Sequence, residues 1–211
     1  MSITNEMQEL KEQVLKMCTV VVKNINDAIM YYLGKTNEVT VNDDLVDQYE
    51  RLIEEMCVNV LLKERLFAKD LKEVTGALKL VSDLERIGDH AEDIVEFAKK
   101  LERFDETRVE EIEGLSEFVI NMINKAIKSY INKDYAMAKE VIIDDDYVDA
   151  KYEQIIESLG KQENIDKSYL PFAIYTTLVV KYLERIADHS VNIAEWVIYI
   201  SSGYYKDKMI F

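Results

Sequence analysis

A seven-residue segment occurs twice in this chain, about one hundred residues apart. Leu84 to His90 reads LERIGDH and Leu183 to His189 reads LERIADH, so the copies differ only at Gly88 and Ala187. The match continues at the same offset, because Ile94 and Glu96 are answered by Ile193 and Glu195. A repeat of this kind predicts two copies of one structural unit within a single chain.

The composition favours helices. The 211 residues include only 1 proline and 6 glycines, whereas sheet proteins need many turn residues. Apolar residues make up 48% of the chain, which is enough for a sizeable core. We therefore expect an all-α fold.

Apolar residues recur at steps of three and four along six segments, three in each half. The predicted helices run from the N-terminus to Gly34, from about Asp43 to about Leu62, from about Ala68 to Leu101, from Ile112 to about Ile131, from Asp144 to about Leu159 and from Pro171 to about Ile200. Gly34 is expected to end the first helix, and Pro171 is tolerated in the first turn of the sixth.

Three amphipathic helices are about the fewest that can bury their apolar faces on one another. The sequence therefore predicts two tandem, pseudo-symmetric three-helix bundles, over residues 1–104 and 105–211. The junction near Phe104 to Arg108 is short and charged, and linkers rich in proline, glycine or serine are absent. We expect the two bundles to pack together.

The charge and the cysteines restrict the classes of function. A formal net charge of -15 would repel polyphosphate backbones, so direct binding of nucleic acid is not expected. The N-terminal sequence MSITNEMQELKEQ lacks the features of a secretory signal, and no run of 18 apolar residues occurs. We expect a soluble, cytoplasmic protein that is at most peripheral to a membrane. Cys18 and Cys57 lie in apolar helical patterns and are predicted to be reduced core thiols.

Pairs of acidic residues four positions apart recur at equivalent places in both halves. They are Glu85 with Asp89, Glu184 with Asp188, Asp43 with Asp47, and Asp145 with Asp149. Residues at this spacing share one face of a helix, where like charges repel unless a cation lies between them. Hard cations prefer such oxygen ligands. The pattern predicts a multinuclear metal site in each half, or alternatively a solvated acidic face neutralised by Arg and Lys.

The neighbouring residues of the repeat have other expected roles. His90 and His189 lie one position past the aspartates, about 100° around the helix, which favours a hydrogen bond to a metal ligand or a contact between helices over direct metal ligation. Arg86 and Arg185 are expected to form salt bridges with nearby acids, with an oxyanion contact as the alternative. The acidic stripe extends to Asp93 and Glu96 in the first copy and to Asn192 and Glu195 in the second. The Glu-x-x-His ligand pair of di-iron bundles is absent, which argues against an oxidase.

The segment from Asp83 to Ala91, its copy ending in Asn192-Ile193-Ala194-Glu195, and the acidic starts of the second and fifth helices resemble the PhoU family over essentially the whole chain. The resemblance implies two tandem three-helix bundles, multinuclear metal clusters on E/D-x-x-x-D motifs, and a cytoplasmic negative regulator of phosphate uptake and phosphate-starvation signalling. By this resemblance the metal ligands are Asp43, Asp47, Glu85, Asp89, Asp145, Asp149, Glu184 and Asp188.

The resemblance also implies the partners, an ABC phosphate transporter and a sensor histidine kinase, and we expect a homodimer. Iron is the expected metal, with zinc or magnesium as alternatives. Asp93 stands where the second copy has Asn192, and Ser190 replaces a small apolar residue, which leaves room for unequal metal numbers in the two clusters. A metal-dependent enzyme and a metal store remain alternatives. The sequence shows ligands but no separate catalytic group, so a regulatory adaptor that is not an enzyme is expected.

Overall fold

The computed structural model describes residues 3–63, 66–101, 110–161, 169–206 and 208–209. Six helices account for almost all of this part of the chain: α1 Ile3–Tyr32, α2 Asp43–Leu61, α3 Ala68–Leu101, α4 Glu110–Asn132, α5 Tyr135–Gly160 and α6 Tyr169–Ser202. A two-stranded antiparallel hairpin follows, in which β1 (Tyr204–Tyr205) pairs with β2 (Lys208–Met209). The all-α prediction is confirmed, although the sequence did not predict the hairpin.

The observed helix ends follow from local backbone features. Gly34 takes a φ of 67° just past α1, as expected of a residue that ends a helix. The predicted start of the fifth helix at Asp144 was wrong, because α5 begins at Tyr135. Lys133 turns the chain with a φ of 52°, and the Asp134 side chain accepts a hydrogen bond from the Met137 backbone N–H at 3.0 Å. This short capped turn leaves no loop between α4 and α5.

The helices pack as two groups of three. The first group contains α1, α2 and α3, the second contains α4, α5 and α6, and the two groups meet through α3 against α6 and α1 against α4. Side chains of the repeated segment supply the centre of the core, since Leu84, Ile87, Leu183 and Ile186 are all at most 1% exposed. Two packed three-helix bundles were predicted and are observed. The predicted boundary between residues 104 and 105 and the charged junction lie outside the described residues.

Both cysteines are buried free thiols, as predicted. Cys18 lies on α1 and Cys57 on α2, and neither is bonded to another cysteine. Burial raises the pKa of each thiol to about 12. The thiols are therefore protonated core groups and are not available as thiolate ligands.

No helix in the described part of the chain contains a stretch that is both long enough and apolar enough to cross a lipid bilayer.

The interface between the two bundles depends on a close approach of α3 to α6. A Cβ atom added at Gly76 would lie 2.4 Å from Ile200 Cγ1 and 2.6 Å from Ile200 Cδ1. Gly114, on α4, has no such neighbour within 4 Å. Only the first of these two helical glycines is required by packing.

The substitution Gly76→Ala should therefore destabilise the protein by about 1–2 kcal/mol, because overpacking outweighs the gain in helix propensity. Gly114→Ala is the matched control and should stabilise by about 0.5–1 kcal/mol, because alanine favours the helix without a clash. Urea unfolding of the three proteins measures both changes. Equal stabilisation by the two substitutions would contradict this account of the interface.

Candidate metal-binding carboxylate clusters

The predicted acidic residues come together in two places, one in each bundle. We use the name cluster I for Asp43 and Asp47 of α2 with Glu85 and Asp89 of α3, and cluster II for Asp145 and Asp149 of α5 with Glu184 and Asp188 of α6. Asp43 interacts electrostatically with Asp89, and Glu85 with Asp47, so α2 runs antiparallel to α3 at this point. Asp145 interacts in the same way with Asp188 and Glu184. The structure thus brings every predicted ligand into one of two groups.

The start of α2 fixes which side chains face α3. The Asn42 side chain caps the helix by accepting a hydrogen bond from the Leu45 N–H at 3.2 Å. The Asn42 backbone N–H donates to Asn24 Oδ1 of α1 at 3.3 Å, and Asn24 is buried. These two bonds fix the beginning of α2 against α1, and thereby the rotation of α2 that directs Asp43 toward α3.

A glycine in the repeated segment allows the two acidic helices to approach. A Cβ added at Gly88 would lie 3.1 Å from Val46 Cγ1, and Val46, between Asp43 and Asp47 in sequence, is fully buried. In the second bundle the equivalent pair, Ala187 and Val148, is fully buried as well. Small residues at this position keep the facing carboxylates close together.

Two carboxylates in each cluster have raised pKa values and therefore resist ionisation. Burial, followed by the neighbouring carboxylates, raises the pKa of Asp43 to about 6 and that of Asp145 to about 6. The pKa of Glu85 is raised to about 7, first by burial and then by Asp89. Burial and Glu184 also raise the pKa of Asp188. Shifts in this direction identify sites at which negative charge is destabilised when no cation is near.

Two buried oxygens support a role in binding cations. Asp43 Oδ1 and Asp145 Oδ1 are buried and have no hydrogen-bond partner within the described residues. These residues occupy equivalent positions in the two halves, at an offset of 102. A buried carboxylate oxygen without a partner is costly, and a bound cation would remove that cost. The donor set therefore fits hard metal ions in both bundles.

The clusters are not closed coordination shells as they stand. Within the described ranges, no three His, Cys, Asp or Glu side chains converge on a single point. Carboxylates that repel one another are expected to lie apart without a cation. Metal binding would require their side chains to rotate toward a common centre.

Basic side chains partly neutralise each cluster, which was the predicted alternative to a metal. Arg86 lies 3.1 Å from Asp89 and 3.5 Å from Glu85, and Arg51 lies 3.8 Å from Asp47. Lys181 lies 2.6 Å from Glu184 in cluster II. These cations contact the outer carboxylate oxygens and leave the buried oxygens of Asp43 and Asp145 unpaired.

The two arginines of the repeat do not have the same role. The Arg86 salt bridges were predicted and are observed. The prediction for Arg185 was wrong, because its guanidinium carbon lies 5.8 Å from the centre of the Tyr182 ring and it forms no ion pair within the described residues. The half-buried Tyr182 ring offers a cation–π contact that the first copy lacks, since the residue equivalent to Tyr182 is Asp83.

The hydrogen bond of His189 joins the two bundles, as predicted, whereas the hydrogen bond of His90 lies within α3. His189 Nδ1 lies 2.9 Å from Asp83 Oδ1, and Asn192 donates a hydrogen bond to the same oxygen at 3.0 Å. His90 Nδ1 lies 3.4 Å from Asp93 Oδ2, and the two imidazole rings are 5.7 Å apart. Asp93 and Asn192 of the predicted acidic stripe therefore lie at the interface of the bundles. Glu96 pairs instead with Lys100 of its own helix, and Glu195 with Lys206 at 3.3 Å.

Two further acids near cluster I were missed by the sequence analysis. Glu50 interacts with Asp47 and Asp89, and Glu92 interacts with Asp43. Burial and Glu54 raise the pKa of Glu50 above its usual range. Neither acid is repeated, because Tyr152 and Val191 occupy the equivalent positions in the second half. The position of Glu50 three residues after Asp47 places the two acids on the same side of α2, which could have identified Glu50. A search for acids shared by the two halves excludes Glu50, because the second half has no acid at that position.

Proteins of one family are similar to this chain over nearly its whole length. The family model described as PhoU domain matches residues 14–98 and 112–197. A phosphate-specific transport system accessory protein PhoU homolog from Aquifex aeolicus is 38% identical, with 96% of this chain and 94% of the relative covered. The corresponding homolog from Clostridium acetobutylicum is 32% identical, with 94% of each chain covered.

Solved structures give the same result for the fold. The crystal structure of PhoU from Pseudomonas aeruginosa superposes with a TM-score of 0.88 at 28% identity, covering 96% of this chain and all of that one (100%). The phosphate transport system regulatory protein PhoU from Streptococcus pneumoniae superposes with a TM-score of 0.85 at 21% identity, covering 98% of this chain and 100% of that one.

The clusters predict an unusual dependence of stability on pH. In chelator-treated protein the folded-state pKa values of Asp43, Glu85 and Asp145 lie above the unfolded values, so the folded state binds more protons between about pH 4 and pH 7. Stability should therefore rise as the pH falls through 7. Burial lowers the pKa of His90, which works in the opposite direction below about pH 6.5.

Thermal unfolding of chelator-treated protein at about pH 8 and about pH 6 measures this change. The double variant Asp43→Asn with Asp145→Asn should show a smaller gain in Tm on acidification, because two of the shifted groups no longer titrate. A Tm that falls on acidification in wild type, or the same pH dependence in wild type and variant, would contradict the electrostatic account of the clusters.

Proposed function

The chain belongs to the PhoU family, and we propose that it is a metal-binding regulator of phosphate uptake and phosphate-starvation signalling that acts through protein partners. The observation that carries the proposal is the equivalent pair of buried, unpartnered carboxylate oxygens, Asp43 Oδ1 and Asp145 Oδ1, within two duplicated acidic clusters. The names of the relatives supply the cellular context, since those from Aquifex aeolicus and Clostridium acetobutylicum are phosphate-specific transport system accessory proteins.

The residues of the two clusters would hold the metal ions. Cluster I would bind ions between α2 and α3, and cluster II between α5 and α6, with carboxylates from both helices sharing each group of ions. The positive charge of the bound ions would neutralise these carboxylates. The all-oxygen donor set favours hard cations, and iron is the ion that we propose, with zinc or magnesium as alternatives. Such ions would tie each acidic helix pair together and keep its carboxylates ionised.

The partners are proposed from the same context. An accessory protein must reach the transporter that it serves, and we propose contacts with an ABC phosphate transporter and a sensor histidine kinase. The protein would act in the cytoplasm, peripheral to the membrane at most, and as a homodimer. Its net charge of -15 opposes direct contact with nucleic acid, so an effect on transcription would pass through the kinase.

A regulatory role accounts for the polar groups better than catalysis does. A metal-dependent enzyme needs an acid or base directed at an open site. Within the described residues both histidines contact aspartates at the bundle interface. The cluster carboxylates face one another across paired helices, as expected of ligands. We therefore propose an adaptor and retain the enzyme only as an outcome of the experiment below.

Deletion of the gene should derepress phosphate-starvation genes in phosphate-rich medium, because the negative regulator is missing. Expression of the wild-type protein should restore repression. Neither the double variant Glu85→Ala with Asp89→Ala nor the double variant Glu184→Ala with Asp188→Ala should restore it. The matched control is Glu153→Ala with Glu157→Ala, an exposed acidic pair at the same spacing on α5 outside both clusters, which should behave as wild type. A reporter fused to a phosphate-starvation promoter measures repression, and co-purification from membranes identifies the partners.

Normal repression in the deletion strain would contradict the regulatory proposal. If the purified protein also bound no transporter subunit or kinase and showed a metal-dependent hydrolase or oxidase activity, the enzyme would become the better explanation of the clusters.

A further inference from the structure

A cavity of about 540 Å³ opens at the end of the molecule where both bundles meet. It is lined by the first turns of α1 and α3, which belong to the first bundle, and by the last turns of α4 and α6, which belong to the second. Its volume lies within the usual range of small-molecule sites. The cavity is separate from both acidic clusters, none of whose residues line it.

Much of the cavity wall is apolar or aromatic. Met7, Ala77 and Val197 contribute aliphatic surface, Phe67 stands at the wall with 77% of its surface exposed, and the Tyr130 ring completes the lining. Burial raises the pKa of Tyr130, so its hydroxyl remains a neutral hydrogen-bond donor. This wall suits a ligand with an apolar body.

Three lysines line the same cavity, although acids outnumber bases 41 to 26 in the whole chain. Lys11 Nζ donates a hydrogen bond to the Ile131 carbonyl at 3.3 Å, which leaves its charge uncompensated. Lys133 contacts the Glu73 carboxylate. The Lys69 ammonium group forms no hydrogen bond or ion pair within the described residues. Since Glu73 and Asp70 are the acids in the lining, cations exceed anions around this cavity.

The ammonium groups of Lys11 and Lys69 are close enough to Lys133 to affect its ionisation. Burial lowers the pKa of Lys133, and the positive charges of Lys69 and Lys11 lower it further, although the negative charge of Asp70 works against this shift. Salt at physiological concentration screens charges beyond about 8 Å, so the distant acids of the chain do not cancel this local excess. An anion bound among the lysines would relieve their mutual repulsion.

We propose that this cavity is a binding site for a small organic anion, in which a carboxylate, sulfonate or phosphate group contacts Lys11 and Lys69 and an apolar body lies against Phe67 and Met7. Because the lining comes from both bundles, the ligand would bridge them and stabilise their relative arrangement. The site goes beyond the proposed metal-dependent regulation and does not require it.

Two fluorescent probes that differ in charge test this proposal. 8-Anilinonaphthalene-1-sulfonate carries an anionic group on an aromatic body, and N-phenyl-1-naphthylamine is the same body without the charge. Wild type should bind one equivalent of the sulfonate. The double variant Lys11→Gln with Lys69→Gln should bind it about tenfold more weakly, while its affinity for the uncharged amine changes less than about twofold. The control Lys23→Gln with Lys99→Gln removes two exposed charges outside the cavity and should leave both affinities unchanged.

Two further variants locate the probe. Ser201→Trp places a large side chain at the exposed rim and should abolish binding of both probes, and Phe67→Ala should weaken both because it removes an aromatic wall. Phe67 is exposed, so its removal should leave thermal unfolding unchanged even if Ser201→Trp failed to fold. Sulfonate binding that is unaffected by the lysine pair would overturn the anion site, and binding unaffected by Phe67→Ala would overturn its location.

Discussion

Repulsion between carboxylates held on paired helices is the constraint on which the rest of the structure depends. Asp43 and Asp145 are held where one oxygen of each is buried without a partner, and burial raises the pKa of both. A fold that only needed stability would replace such groups by apolar residues. Their duplication in two bundles is consistent with a function that requires the charge, and the function that we propose for them is the binding of cations.

The remaining polar contacts organise the molecule around these clusters. The Asn24 and Asn42 contacts fix the start of α2, and Gly88 lets α2 approach α3. On the other side of α3, Asp83 Oδ1 lies within hydrogen-bond distance of His189 and accepts a hydrogen bond from Asn192, both of α6. These contacts join the bundles beside the repeated motif. A change in one cluster can therefore reach the interface between bundles through a single helix, α3. The cavity lies at the end of this interface and is lined by both bundles, so the affinity of a ligand bound there would depend on how the bundles are arranged.

Sequence repetition predicted most of the fold and the candidate ligands, because a duplicated unit shows each functional position twice. The eight acidic residues and the bundle seams were found in this way. Features present in only one half were not found: Glu50 beside cluster I and the cation–π contact of Arg185. The start of α5 was also misplaced, because the capped turn at Asp134 depends on a backbone conformation at Lys133 that few residues adopt and the sequence does not reveal.

Elemental analysis of protein purified without a metal-chelating tag tests the central claim most directly. We predict several equivalents of an oxygen-ligated metal in wild type. Loss of only the first cluster's share is expected in Glu85→Ala with Asp89→Ala, and loss of only the second cluster's share in Glu184→Ala with Asp188→Ala. Less than one equivalent of any metal in wild type, with thermal stability unchanged by chelation, would contradict the claim. Loss of all metal in either double variant would instead show one site shared between the bundles.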